Sequence, residues 1–108
     1  MDSTLEQLYA VVLDRKANPQ EGSYTCYLFE KGLDKILKKV GEECAETIIA
    51  AKNGEQSDTV GEISDLIYHL MVMMVQQGIP LESVMDELDR RAKKIGNLKQ
   101  FHVSDHET

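Results

Sequence analysis

The chain is predicted to be all-α, a bundle of four to five helices completed by dimerisation, and three observations lead there. Almost nothing alternates polar and apolar residues as a half-buried strand would; apolar residues instead recur at three- and four-residue steps. Glycine and proline are few and punctuate those periodic segments. Beyond Asp65, residues 66–75 are apolar almost all round, and a helix of that kind must be buried on every side. A helical chain of 108 residues has too few other helices to cover it alone. A symmetric partner is the simplest remedy, so a homodimer or higher homo-oligomer is expected.

Ser3 or Asp2 caps a first helix over residues 4 to about 16, with Leu5, Leu8, Val11 and Val12 as its apolar stripe. Residues 17–23, ANPQEGS, form a turn-rich connection, and a short helix over 24–31 stops near Gly32. A long helix runs from 33 to about 52 and ends at Asn53–Gly54. Its apolar face holds Leu33, Ile36, Leu37, Val40, Cys44, Ile48 and Ala51. The next helix begins near Ser57 or Asp58 and ends at Gln77, before Gly78. Pro80 opens the last helix, 81 to about 96, with Val84, Leu88 and Ile95 facing inward. Residues 1–96 are expected to be a single domain and 97–108 a flexible C-terminal tail.

Hydrophobic residues make up 42% and charged residues 29%, the balance of a soluble globular chain. A net charge of −7 and a pI near 4.9 argue against nucleic acid or an anionic membrane as partner. The longest apolar run is too short to span a bilayer, and no basic, apolar leader opens the chain. Cys26 and Cys44 show no metal-binding or redox spacing, so free thiols in a reducing cytoplasm are expected, with Cys44 packed as a core thiol.

The chemistry is sought in five carboxylates. Glu42, Glu43 and Glu46 lie on one predicted helix, and Glu62 and Asp65 on the next, after fifteen intervening residues. At ~100° per residue, Glu43 and Glu46 stand ~60° apart and Glu42 and Glu46 ~40° apart. Glu62 and Asp65 repeat the three-residue step. Glu43 lies only ~20° from Ile36 on the helical wheel, at the border of the core instead of the far face. A short Asn53–Gly54 turn makes the two helices antiparallel neighbours, so the acidic faces meet. Such a concentration of negative charge is hard to tolerate without a cation, and oxygen-only ligands suit Mg²⁺, with Mn²⁺ as substitute. Zinc would want cysteine or histidine, an EF-hand its loop, and a di-iron bundle a Glu-x-x-His pattern that the sequence lacks. His69, four residues after Asp65, is read as a polar core or interface histidine before a ligand.

The segments KKVGEECAETIIAAK and EISDLIYHLMVMM resemble the all-α nucleoside-triphosphate pyrophosphohydrolase superfamily, whose motif is EExxE…ExxD. Within it, Arg15-Lys16, Ser23-Tyr24-Thr25, GLDKILKKVGEE and Glu87-Leu88-x-x-Arg91 extend the likeness to the phosphoribosyl-ATP pyrophosphatases of histidine biosynthesis, over residues 4–95. The resemblance implies Mg²⁺-dependent hydrolysis of phosphoribosyl-ATP to phosphoribosyl-AMP and pyrophosphate. It implies Glu43, Glu46, Glu62 and Asp65 as metal ligands, with Glu42 holding a second metal or orienting the attacking water. Some members are fused to a cyclohydrolase domain, for which this chain has no room. Two other readings use the same acids: a housecleaning hydrolase of other nucleoside triphosphates, and a non-catalytic metal-binding dimerisation module.

Lys39 shares the glutamates' helix face. It is either an intrahelical partner of Glu43 or a phosphate contact, and Lys35 is a weaker candidate for the latter. Arg15 reads as a surface arginine by its pattern alone; the resemblance makes it a candidate for bidentate phosphate binding. Ser23, Tyr24 and Thr25 offer hydroxyls after a turn, as a helix cap or as substrate contacts.

Overall fold

Five helices account for most of residues 3–94, the part of the chain that the structure, a computed structural model, describes. Helix α1, Thr4–Ala17, starts at a reciprocal cap: the Ser3 hydroxyl accepts the Glu6 backbone N–H and the Glu6 carboxylate accepts that of Ser3. Helix α2, Tyr24–Lys31, is capped by Ser23, whose hydroxyl accepts the Cys26 backbone N–H. Helices α3, Leu33–Asn53, and α4, Gln56–Gln77, end on Gly54 and Gly78. Both glycines are left-handed, at φ 76° and 72°, a conformation that a side chain would strain. Helix α5, Leu81–Ala92, follows Pro80. The predicted tail, the inward Ile95 and the alternative cap Asp2 lie outside the described residues.

The core takes residues from every helix: Val12, Leu28, Ile36, the Met71–Val72 and Met74–Val75 pairs, and Leu81. Helix α4 is its axis, packed along α3 and against α1 and α2. The Tyr9 hydroxyl donates to the Ile79 carbonyl at 2.8 Å and fixes α1 against the α4–α5 turn.

The helices stand close to where the sequence predicts them, except that α5 stops at Ala92, four residues short of the expected end, where the chain turns at Lys93 and Lys94; the faces differ in three places. Val11 is exposed, because α1 presents Val12 inward with Leu5 and Leu8 beside it. On α3 the buried residues are Ile36, Glu43 and Ala50, while Leu37, Cys44 and Ile48 are exposed. The buried face is thus rotated by roughly 80° from the centre of the apolar stripe toward the carboxylates, since α4 packs on that edge. Cys44 is therefore a surface thiol and not a core one. On α5 only Leu81 is buried, and Val84 and Leu88 face solvent instead of the core. Residues 66–75 of α4 are covered largely within the chain; exposed apolar side chains remain on α1 (Val11, Leu13), on the first half of α4 (Val60, Ile63), on α3 and on α5.

Leu28 is fully buried at the junction of α2 with the core. Leu28→Ala should lower unfolding stability by about 2–5 kcal/mol in a urea titration; a loss under about 1 kcal/mol would show that α2 contributes little to the fold.

Candidate functional site

Helices α3 and α4 bring the acidic steps face to face. One carboxylate oxygen from each of Glu43, Glu62 and Asp65 lies within 4.8 Å of the others. Glu46 adjoins them, close enough for its charge to act on both Glu43 and Glu62. These four are the acids that the family resemblance implies as metal ligands. A surface cleft of about 420 Å³ opens beside them, with Glu46, Gly61, Glu62 and Asp65 on its wall.

Glu43 is the anomaly of the group. It is only 6% exposed, and its Oε2 is buried with no hydrogen-bond partner among the described residues. Burial, then the Glu46 hydrogen bond and the charges of Glu46 and Asp65, push its pKa up to about 7; Lys39 opposes them. Burial and the neighbouring Glu46 and Asp65 raise Glu62 as well. A buried, unsatisfied carboxylate oxygen among like charges needs a proton or a cation. The donor set is oxygen only, so the residues present fit a hard divalent ion such as Mg²⁺ or Mn²⁺.

Glu42 lies outside this group. It is exposed, and its carboxylate lies 3.3 Å from the Lys39 ammonium, which is also 3.9 Å from Glu43. Burial alone would lower the Lys39 pKa, but Glu42, Tyr24 and Glu43 together hold it above its ordinary value. Lys39 is thus the intrahelical partner that spacing suggested, and also the cation nearest the buried acid. Tyr24, at the first position of α2, feels the charges of Lys39 and Glu43; its phenol is raised, chiefly by burial.

The remaining candidates diverge. Arg15, Ser23 and Tyr24 line a second cleft of about 960 Å³ between α1 and α2. Arg15 pairs with Asp14 at 3.2 Å, and Ser23 serves as a helix cap. Thr25 turns inward to hydrogen-bond the Tyr68 hydroxyl. Tyr24 alone belongs both to this cleft and to the neighbourhood of the acids. Behind it stands His69, buried as expected of a polar core histidine; what sequence reasoning missed is that its ring reaches both Tyr24 and the Asp65 backbone. The four-residue step from Asp65 was the available signal, but it says nothing of α2.

A family model described as phosphoribosyl-ATP pyrophosphohydrolase matches residues 5–92. The phosphoribosyl-ATP pyrophosphatase of Clostridium novyi (strain NT) is 57% identical over 95 residues, which is 88% of this chain and 86% of that protein. That of Limosilactobacillus fermentum is 55% identical over 95 residues, 88% of this chain and 90% of that one. The histidine biosynthesis bifunctional protein HisIE of Thermoanaerobacter pseudethanolicus is 64% identical over 83 residues, covering 77% of this chain but 38% of that relative.

The Glu43 environment gives a pH dependence with a definite sign. Its folded pKa, about 7, lies above its ordinary 4.5, so the folded state holds more protons between those values and stability falls as pH rises through that window. Glu62 acts in the same direction. Glu87, held down to about 2 by Arg90 and Arg91, titrates below the window. Metal-free protein should therefore melt lower at about pH 8 than at about pH 5, with Mg²⁺ restoring more at the higher pH. Glu43→Gln should flatten the difference in calorimetry; an unchanged difference would locate its origin elsewhere.

Proposed function

Because this chain belongs to the phosphoribosyl-ATP pyrophosphohydrolase family, we propose that its carboxylate cluster is the centre at which phosphoribosyl-ATP is hydrolysed to phosphoribosyl-AMP and pyrophosphate, a step of histidine biosynthesis. The buried, unpartnered Oε2 of Glu43 is the observation that carries the assignment of the site. Glu43, Glu46, Glu62 and Asp65 would hold Mg²⁺, or Mn²⁺ in its place. When bound, the ion supplies charge neutralisation of the triphosphate, stabilisation of the pyrophosphate leaving group and acidification of water.

The chain's own residues do the rest. In the reaction a water oxygen bonds to phosphorus, the α–β bridging P–O bond breaks, and the water proton must be taken up nearby. Glu42, outside the ligand set and steadied by Lys39, orients that water. Lys39 offers the ammonium closest to the buried acid and contacts phosphate once substrate is present. Tyr24 borders the acids on one side and the larger cleft on the other, with Arg15 and Ser23 on the wall of that cleft. The size of this cleft suits the body of the nucleotide, and Arg15 its terminal phosphate. No helix among the described residues is long and apolar enough to cross a membrane, which accords with action on a soluble nucleotide in the cytoplasm.

The same reading includes a second copy. On α3, Leu37, Cys44 and Ile48 lie within ~40° of one another, and in the single chain Leu37 is 43% and Ile48 67% exposed. Covering that stripe by the same stripe of a symmetry mate removes it from water. A Leu37→Glu/Ile48→Glu variant should sediment as a monomer where the unaltered protein sediments as a dimer or larger; a monomeric unaltered protein would refute the pairing.

Pyrophosphate release from phosphoribosyl-ATP, dATP and dUTP tests the substrate, with phosphoribosyl-ATP expected to be turned over far faster than the others. Faster turnover of dATP or dUTP would make the protein a general nucleotide hydrolase. Glu46→Gln and Asp65→Asn should each reduce turnover by more than the roughly 10–100-fold typical of losing an outer-shell partner, with helical content unchanged by circular dichroism. Near-normal activity in either would remove that residue from the ligand set.

A further inference from the structure

His69 sits one helical turn beyond Asp65, only 4% exposed, and joins the acid-bearing helix to α2. Its Nδ1 lies 2.7 Å from the Asp65 backbone carbonyl. A carbonyl oxygen only accepts, so Nδ1 carries the proton. In the neutral ring Nε2 is then bare and accepts the Tyr24 hydroxyl proton across 3.2 Å. The ring meets Tyr24 and Tyr68 edge-on, at centroid distances of 5.9 and 4.9 Å, and Tyr68 is itself hydrogen-bonded to Thr25. The single proton of the Tyr24 hydroxyl is therefore committed inside the protein. Toward solvent the phenolic oxygen presents lone pairs, which no donor among the described residues fills.

We propose that His69 is a positioning residue that makes Tyr24 a hydrogen-bond acceptor for a ribose hydroxyl of the substrate. The inference rests on the assignment of the site to phosphoribosyl-ATP hydrolysis and deepens it. Ionised phosphate oxygens have no proton to give, so an acceptor-only Tyr24 is mismatched to phosphate, for which Lys39 on its other side is suited. The substrate's donors are its sugar hydroxyls and the amino group of its base. The sugar is the nearer: the ribose bearing the α-phosphate is one ester linkage from the phosphorus at the reacting bridge, and Tyr24 lies within electrostatic reach of Glu43. Tyr24 thus reads the sugar, and the side chain that decides its polarity touches no substrate.

Two measurements test this, one of them independent of turnover. Nitrogen-15 NMR of the histidine side chains in the substrate-free protein should show His69 as the Nδ1–H tautomer; an Nε2–H or doubly protonated ring would overturn the proposal. In kinetics with phosphoribosyl-ATP, Tyr24→Phe and His69→Phe should each raise KM about tenfold with kcat little changed, and the double variant should be no worse than Tyr24→Phe. His69→Gln, whose amide oxygen can accept from Tyr24, should recover to within about threefold of the unaltered enzyme. For the unaltered enzyme, removing the 2′ or the 3′ hydroxyl of the adenosine ribose should impose the same loss, with no added loss in Tyr24→Phe. Independent, multiplying losses, or a His69→Phe defect confined to kcat and not recovered by Gln, would reduce His69 to a packing role. Failure of the unaltered protein to turn over phosphoribosyl-ATP at all would instead overturn the functional assignment beneath it, whatever tautomer NMR finds.

Discussion

A buried carboxylate with one unpartnered oxygen is the constraint around which this fold is arranged. The packing of α3 on α4 places Glu43 where an apolar side chain would ordinarily go, in line with Ile36 and Ala50 on the buried face of α3. Nothing among the described residues repays that burial fully: Lys39 reaches one oxygen at 3.9 Å, and the other has no hydrogen-bond partner there. Packing by Ile36 and the apolar half of α4 holds the acids together against their repulsion. The hydrophobic core thus supplies the force that holds these like charges together, a state that a bound cation would relieve.

Helix α2 adds a second layer. It is too short to be stable alone, and it is held by Leu28 in the core and by the contacts of Tyr24 and Thr25 with His69 and Tyr68. Those contacts run to the turn of α4 that follows Asp65, to whose backbone His69 is hydrogen-bonded. The element bordering the larger cleft is consequently indexed to the acids by side chains from a single helical turn, so cleft and acids keep a fixed relative position.

Much of this was legible in the sequence because it is local. The Ser3–Glu6 cap, the glycine stops after α3 and α4, and the proline before α5 mark helix ends by backbone chemistry that neighbouring residues determine. The four acids were legible because the three-residue step and the short turn after Asn53 leave the two faces little choice but to meet. What the spacing could not tell is which edge of a broad apolar stripe finds a partner: Ile36 is buried while Leu37 and Cys44 are not. The same ambiguity put Val84 and Leu88 inward on α5. The contact between His69 and Tyr24 spans 45 positions, and no periodicity carries information over that distance.

All four acids of the cluster belong to one helical hairpin, α3 and α4, in the middle of the chain. Neither α1 nor α5 contributes a carboxylate to it. Additional polypeptide joined before α1 or after α5 therefore interrupts neither of the helices that hold the acids. The unit is modular in this physical sense: its acids are carried by an internal hairpin, and α1 and α5 hold none of them. Its likeness to a bifunctional relative, of which it spans 38%, is what such modularity permits.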